Sequence, residues 1–189
     1  MMLGLLPETQ SEAYMIKSFN GKTPRVAPTA FVSEAAYVVG DVEIGEGASV
    51  WPGAIIRGDL GKITIGRNAV IEDNCVVHSG APHLPPISDV TIGEGAVLGH
   101  AVVANGRKIG NHVMVGRHAT VLHDAEIGDY SIIAAGCVVK EKMKIPDHSF
   151  VAGVPAEIKR RIEDDTLFWF EESPRINHDL AKQYKEQGL

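Results

Sequence analysis

Aliphatic side chains recur every six positions along most of this chain. The period runs from Val26 to Val151 and keeps one phase over several hexads before each break. Its positions are Val26, Val32, Val38, Ile44, Val50, Ile56, Ile65, Ile71, Val77, Ile92, Leu98, Ala104, Ile109, Val115, Val121, Ile127, Ile133, Val139, Ile145 and Val151. Of these 20 positions 18 are Val or Ile, although the two types make up only 37 of the 189 residues, so random placement would give about four. The recurrence therefore indicates a structural repeat.

The length of the repeat excludes an α-helix. Six helical residues turn through about 600°, which scatters the aliphatic side chains around the axis instead of aligning them on one face. A short strand and a tight turn instead place one aliphatic residue on each flat face, and three hexads close a coil of about 18 residues. The hexads resemble those of the hexapeptide-repeat proteins. This resemblance implies an all-β repeat fold, the left-handed parallel β-helix, whose handedness the period alone does not give.

The extent of the period divides the chain into three parts. Residues 1–14 lack it and are expected to be an N-terminal extension, and residues 15–154 form the β-helix. Residues 155–189 are rich in Glu, Lys and Arg and are predicted to be a C-terminal α-helical segment, kinked or broken near Ser173 and Pro174. The charged run at 157–161 is predicted to be the solvated face of that helix.

Two longer steps interrupt the hexads inside the β-helix. One spans 9 residues from Ile56 to Ile65, and the other spans 15 residues from Val77 to Ile92. Both are predicted to be loops extruded from the coil, and the second contains several prolines that oppose regular strand pairing.

Composition and charge narrow the possible functions. The chain has 20 Gly and 10 Pro but only 5 Phe, 4 Tyr and 2 Trp, which suits a turn-rich fold with a narrow aliphatic core. A net charge of -6 argues against nucleic acid as a partner. No apolar stretch approaches the roughly 20 residues of a membrane span, so we expect a cytoplasmic protein with no membrane partner.

Cys75 and Cys137 form no metal or redox motif and are expected to be inert thiols.

Polar residues are predicted to form a column on the face that contains Ile56 and Val77. The residue after each aliphatic of that face points outward, about 4.8 Å from its neighbour in the next coil. In chain order the column is Arg57, His78, Asn105, Leu122 and Lys140. Asp59 lies just beyond Arg57, and Glu72 takes the equivalent place on the preceding face. His100 lies one face back from Ala104, so it meets His78 only if a second copy of the chain packs alongside.

The other histidines receive simpler interpretations. His112, His118 and His123 fall at outward repeat positions and are expected on the solvated surface. His83, in the second extruded loop, is a reserve third ligand.

Several segments together are similar to the γ-class carbonic anhydrase family. The matching stretches are Gly40 to Ile44, Val50 to Asp59, Ile71 to His78, Gly99 with His100, and Gly153 to Arg160. The resemblance implies a homotrimer whose metal sites lie between subunits, with His78 from one chain and His100 from the next as ligands. It also implies that Arg57 pairs with Asp59 across the interface and that Glu72 lies near the metal-bound water.

Two departures from the family pattern affect this expectation. The third histidine ligand of the family is replaced by Asn105, whose amide is a poor zinc donor. Glu72 stands where the family usually has Gln, and its carboxylate suits either a base or the third member of a set of two histidines and one carboxylate. Zinc is the expected metal, and iron or cobalt suits similar donors. Arg57, Asp59, Glu72 and Asn105 are the candidate catalytic residues.

The resemblance predicts metal-dependent, reversible hydration of carbon dioxide to bicarbonate, or a degenerate member with weak or no activity. A hexapeptide acyltransferase that uses a coenzyme thioester is the alternative enzyme, with His83 as its catalytic base. A non-catalytic trimeric scaffold is the third possibility, which the Asn105 substitution favours.

Overall fold

The structure, a computed structural model, describes residues 15–80, 89–163 and 168–188. Short strands dominate it, as the hexads predict. The first nine are β1 Ile16–Lys17, β2 Arg25–Val26, β3 Phe31–Val32, β4 Tyr37–Ile44, β5 Ser49–Val50, β6 Ile55–Ile65, β7 Val70–Ile71, β8 Val76–His78 and β9 Val90–Ile92. The next eleven are β10 Val97–Leu98, β11 Val103–Ala104, β12 Lys108–Ile109, β13 Met114–Val115, β14 Thr120–Val121, β15 Glu126–Ile127, β16 Ile132–Ile133, β17 Val138–Val139, β18 Lys144–Ile145, β19 Ser149–Ala152 and β20 Glu157–Arg161. The helix α1 spans Phe168–Gln187.

The strands form the three faces of a left-handed parallel β-helix. Face 1 stacks the start of β4, the start of β6, then β8, β11, β14 and β17. Face 2 stacks the ends of β4 and β6, then β9, β12, β15 and β18, and face 3 stacks β3, β5, β7, β10, β13, β16 and β19. Ile56 is the Cα partner of Val77, which pairs with Ala104, so the predicted alignment of the face is confirmed.

The repeating aliphatic residues make the core of the coil. Eighteen of the 20 have at most 4% of their surface exposed. Val26 and Val32 are only partly buried because they lie at the N-terminal end of the stack, where a further coil covers one side alone. Burial of each such side chain contributes roughly 1.5–3 kcal/mol.

The C-terminal helix packs lengthwise on the coil. Phe170 and Ala181 are buried against it, and Tyr184 makes edge contacts with Phe31 and Trp51 at 5.9 and 5.2 Å between ring centroids. These anchors lie on both sides of Pro174, and α1 continues through that residue, so the helix is not broken there. Among the described residues, no helix combines the length and apolarity that a bilayer crossing requires.

The C-terminal segment begins with a strand and not with a helix, which corrects the predicted boundary. Glu157–Arg161 forms β20, antiparallel to β19 at the end of face 3. An unpaired strand edge recruits a partner, and β20 covers that edge with exposed, charged side chains. The helical propensity of this run is thereby overruled by a tertiary pairing.

The 9-residue step is also not an extruded loop. β6 continues through it as one strand, and the Cα pairing with β4 passes from Gly40–Gly58 to Val42–Ile63, so residues 59–62 oppose only Asp41. The two strands touch closely here: a Cβ on Gly40 would overlap the carbonyl oxygen of Gly58, and one on Gly58 would lie 2.6 Å from the carbonyl oxygen of Asp41. Only glycine permits this approach, and the additional residues therefore form a bulge in β6. The second step is partly outside the described residues, as are His83 and residues 1–14.

Candidate metal and catalytic site

Arg57, His78 and Asn105 lie in adjacent coils of face 1, as predicted. Arg57 is the Cα partner of His78, and the Asn105 side-chain amide donates to the His78 carbonyl at 3.0 Å. Asn105 therefore braces the column from the coil below.

An ion pair supports the His78 ring. Asp59 Oδ1 lies 3.0 Å from His78 Nε2, and Asp59 Oδ2 accepts from Arg57 Nε at 3.1 Å and from its Nη2 at 2.7 Å. Burial alone would raise the pKa of Asp59, but the Arg57 guanidinium and the His78 hydrogen bond outweigh it and hold that pKa below its ordinary value. Asp59 is thus an ionised acceptor that orients the imidazole. We refer to Arg57, Asp59, His78 and Asn105 as the column group.

Arg57 pairs with Asp59 inside the chain, and the pairing across an interface stays a prediction. The bulge in β6 makes the pairing within the chain possible, because it presents Asp59 beside Arg57 and toward His78. Ser79, which the sequence pattern did not indicate, secures the bulge: its buried hydroxyl accepts from the Gly61 backbone N–H at 3.0 Å and donates to the Gly61 carbonyl at 2.7 Å. Its position directly after His78 in the sequence is the only feature that could have indicated this role.

Glu72, Asp73 and His100 make a second cluster, the turn group. Glu72 Oε2 accepts from the His100 backbone N–H at 3.0 Å and lies 3.3 Å from its Nε2, while Asp73 Oδ2 lies 3.0 Å from His100 Nδ1. Asp73 was also missed, although it directly follows Glu72 in the matching segment. Both ring nitrogens of His100 therefore face carboxylates.

The structure does not bring His78 and His100 into one cluster within a chain. His78 ends β8 on face 1, whereas His100 lies in the turn after β10 of face 3. Among the described residues no three His, Cys, Asp or Glu side chains are grouped closely enough to hold a metal ion. A shared site between chains stays a prediction.

Burial raises the pKa of both cysteine thiols. Both are buried and free, and burial raises the pKa of the Cys75 thiol to about 12, so it stays protonated at neutral pH. The expectation of inert thiols is consistent with this placement.

The three-sided coil of hexads defines a hexapeptide-repeat protein, and the comparisons with known proteins agree. The family model described as bacterial transferase hexapeptide (six repeats) matches residues 108–141. The chain is 34% identical over 169 residues to the carnitine operon protein CaiE of Escherichia coli, which covers 89% of this chain and 80% of that protein. This chain therefore belongs to the family of hexapeptide-repeat proteins that includes CaiE.

Two solved structures are similar over nearly their whole length. A Bacillus cereus protein named as an acetyltransferase has a TM-score of 0.85 at 27% identity, covering 92% of this chain and 98% of that one. A hexapeptide transferase family protein from Anaplasma phagocytophilum has a TM-score of 0.83 at 30% identity, covering 90% and 98%.

Proposed function

We propose that the protein is a cytoplasmic, metal-dependent enzyme similar to the γ-class carbonic anhydrases, which hydrates carbon dioxide reversibly at sites between subunits of a homotrimer. One observation carries the proposal: each predicted imidazole ligand has a carboxylate against one ring nitrogen. Asp59 lies 3.0 Å from His78 Nε2, and Asp73 lies 3.0 Å from His100 Nδ1. Metal-binding histidines characteristically donate their second N–H to such a partner.

The donor chemistry fits zinc when two chains contribute. His78 keeps Nδ1 for a metal, and in the turn group Glu72 Oε2 lies 3.3 Å from His100 Nε2, so a carboxylate and an imidazole are side by side. Two imidazoles and one carboxylate form a ligand set that catalytic zinc sites use. In this proposal Glu72 replaces the third histidine, because Asn105 offers only an amide. Iron and cobalt suit the same donors.

The bound metal would lower the pKa of its water to about 7 and so provide a nucleophile at neutral pH. The remaining residues keep the ligands in place. Asp59, held by Arg57, orients His78; Asn105 braces the backbone of His78; and Asp73 orients His100. The His100 side chain is 44% exposed in the single chain, which leaves it accessible to a second subunit. Carbon dioxide is small and neutral, so it needs few additional binding groups.

Zinc content and hydration activity test the proposal together. We expect about one zinc per chain after chelator treatment and reloading, measured by elemental analysis, and rapid hydration of carbon dioxide in a stopped-flow pH assay. His78→Ala and Glu72→Gln should each lower the zinc content, whereas His148→Ala, on the corner between faces 2 and 3 and away from both groups, should not. Zinc content that is unchanged in Glu72→Gln would exclude the carboxylate as a ligand. A stable trimer without zinc or hydration activity would contradict the proposed enzyme and support a role as a non-catalytic scaffold.

A second candidate function is acyl transfer from a coenzyme thioester. It is favoured by the similarity to a protein named as an acetyltransferase over 98% of that protein's length. Its predicted base, His83, lies outside the described residues. Consumption of acetyl-coenzyme A that is lost in His83→Ala would support this function, and a metal-free protein without such turnover would contradict both enzymes.

A further inference from the structure

A second column of residues follows the corner between faces 2 and 3. Its members occupy the third position after the aliphatic residue of face 2 in successive coils, and all have positive φ angles between 52° and 64°. They are Gly47, Asn68, Gly95, His112, Tyr130 and His148. We call this set the corner column. Strand spacing separates neighbouring members by about 4.8 Å, the distance at which flat rings stack.

The last three members form a stack of rings. His112 and Tyr130 are 4.9 Å apart between ring centroids and inclined by 15°, and Tyr130 and His148 are 5.2 Å apart and inclined by 12°. Phe170 of α1 packs its edge on Tyr130 at 5.8 Å. His112 is therefore half-buried in a stack beneath the helix, which corrects the expectation that it lies on the solvated surface.

The stack stops where a ring is missing. The coil beyond His112 contributes Gly95, and the next contributes Asn68, whose side chain leans away toward Gly47. A cavity of about 300 Å³ opens at this position, lined by Asn68, Gly95 and His112 on the coil side and by Phe170 and Pro174 on the helix side. Its volume is at the lower end of the range for small-molecule sites.

One ring nitrogen in the wall of the cavity has no hydrogen-bond partner. His112 Nδ1 is buried and has no partner in the part of the chain that the structure describes. A buried polar atom without a partner costs about 1–3 kcal/mol, so this wall of the cavity is incompletely satisfied by the protein itself. Gly95 lies directly at this atom, because a Cβ built there would come within 2.7 Å of it.

The mouth of the cavity favours a hydrogen-bond donor. Glu94, Glu171, Arg175 and His178 line it. Arg175 is already engaged, since its Nη2 lies 2.6 Å from Glu172. Glu171 has no ion pair among the described residues, so its carboxylate is available to accept from an N–H.

We propose that this cavity binds a planar, amine-bearing nitrogen heterocycle, which stacks on His112 as the missing ring of the corner column and donates its amine to Glu171. The site lies on the corner away from the column group and does not depend on the proposed hydration activity. The ring plane would follow the stack of His112 and Tyr130, and the turn of α1 around Pro174 covers the cavity.

Adenosine and inosine test the proposal, because they differ at the amine. We expect isothermal titration to show adenosine binding to the full chain, and inosine binding several-fold more weakly. His112→Ala should weaken adenosine binding about tenfold, the order of a single base–aromatic stack. His148→Ala, which removes the opposite end of the same stack, should leave it unchanged. Glu171→Gln should remove the preference for adenosine over inosine.

Ring nitrogen NMR of the unmodified protein keeps the test independent of variants that perturb α1. Adenosine should shift the His112 Nδ1 resonance and leave that of His148 in place. Absence of binding at millimolar adenosine, or binding that His112→Ala and His148→Ala weaken equally, would overturn the proposal. A cavity that holds only water gives the first of these results.

Discussion

Replacing Gly40 by Ala tests whether the close contact of β4 and β6 shapes the site. Gly40 has a φ of 83°, and a Cβ there would overlap the carbonyl oxygen of Gly58, a backbone atom that cannot move aside as a side chain can. The left-handed backbone costs a non-glycine residue about 1–2 kcal/mol, and overpacking adds about 1–3 kcal/mol. We therefore expect Gly40→Ala to lower the free energy of unfolding by about 2–5 kcal/mol.

Gly136→Ala is the matched control. Gly136 has a φ of 67°, similar to that of Gly40, but nothing lies within 4 Å of the position its Cβ would take. It should therefore show only the backbone cost, and the loss of unfolded-chain entropy on adding a methyl group is common to both variants. Thermal unfolding followed by far-UV circular dichroism should place Gly40→Ala about 3–10 °C below Gly136→Ala. Equal melting temperatures would show that the contact between Gly40 and Gly58 does not constrain the chain.

Three further outcomes follow from the described contacts. Ile127→Ala, at a fully buried position, should lower the free energy of unfolding by about 2–5 kcal/mol, measured by urea titration. Val32→Ala, at the partly buried end of the stack, should lower it clearly less. Equal losses would contradict the assignment of Ile127 to the core. Asp59→Asn should be less stable than the wild type at pH 7. The pKa of the Asp59 carboxyl is lowered in the folded wild type, so its stabilisation is present above the unfolded pKa of about 3.9 and is lost as the pH falls through the folded pKa. The free energies of unfolding of the two proteins should therefore converge in acid. Cys75, with a pKa of about 12, should react with a thiol reagent at pH 8 only after denaturant is added, and rapid labelling of the folded chain would refute its burial.

The hexads predicted the faces of the coil correctly because each residue's environment repeats with the sequence. One inward aliphatic per six residues is a local pattern, and Ile56, Val77 and Ala104 align as soon as each coil has three faces. The outward neighbours of these residues follow by the same rule, so the placement of Arg57, His78 and Asn105 was also accessible.

The features that the sequence did not reveal depend on contacts between distant segments. The bulge that carries Asp59 to His78 requires Gly40 and Gly58 to meet in adjacent coils. β20 pairs with β19 because the end of the stack leaves an open edge, although the run has the composition of a helix. His112 is half-buried only because Tyr130 and Phe170 cover it. Each case is decided by a partner that no local pattern identifies.

The proposed site between chains is tested most directly by mixing two inactive variants. If His78 of one chain and His100 of the next bind one zinc ion, His78→Ala and His100→Ala should each bind no zinc alone. When the two variants are co-expressed in equal amounts, they form mixed assemblies. An interface of such an assembly is intact only when one subunit keeps His78 and its neighbour keeps His100. Random mixing gives this combination at about one quarter of the interfaces of a cyclic oligomer. We therefore predict recovery of about one quarter of the wild-type zinc content. Zinc that either variant retains alone, or mixed assemblies that recover none, would contradict a shared site.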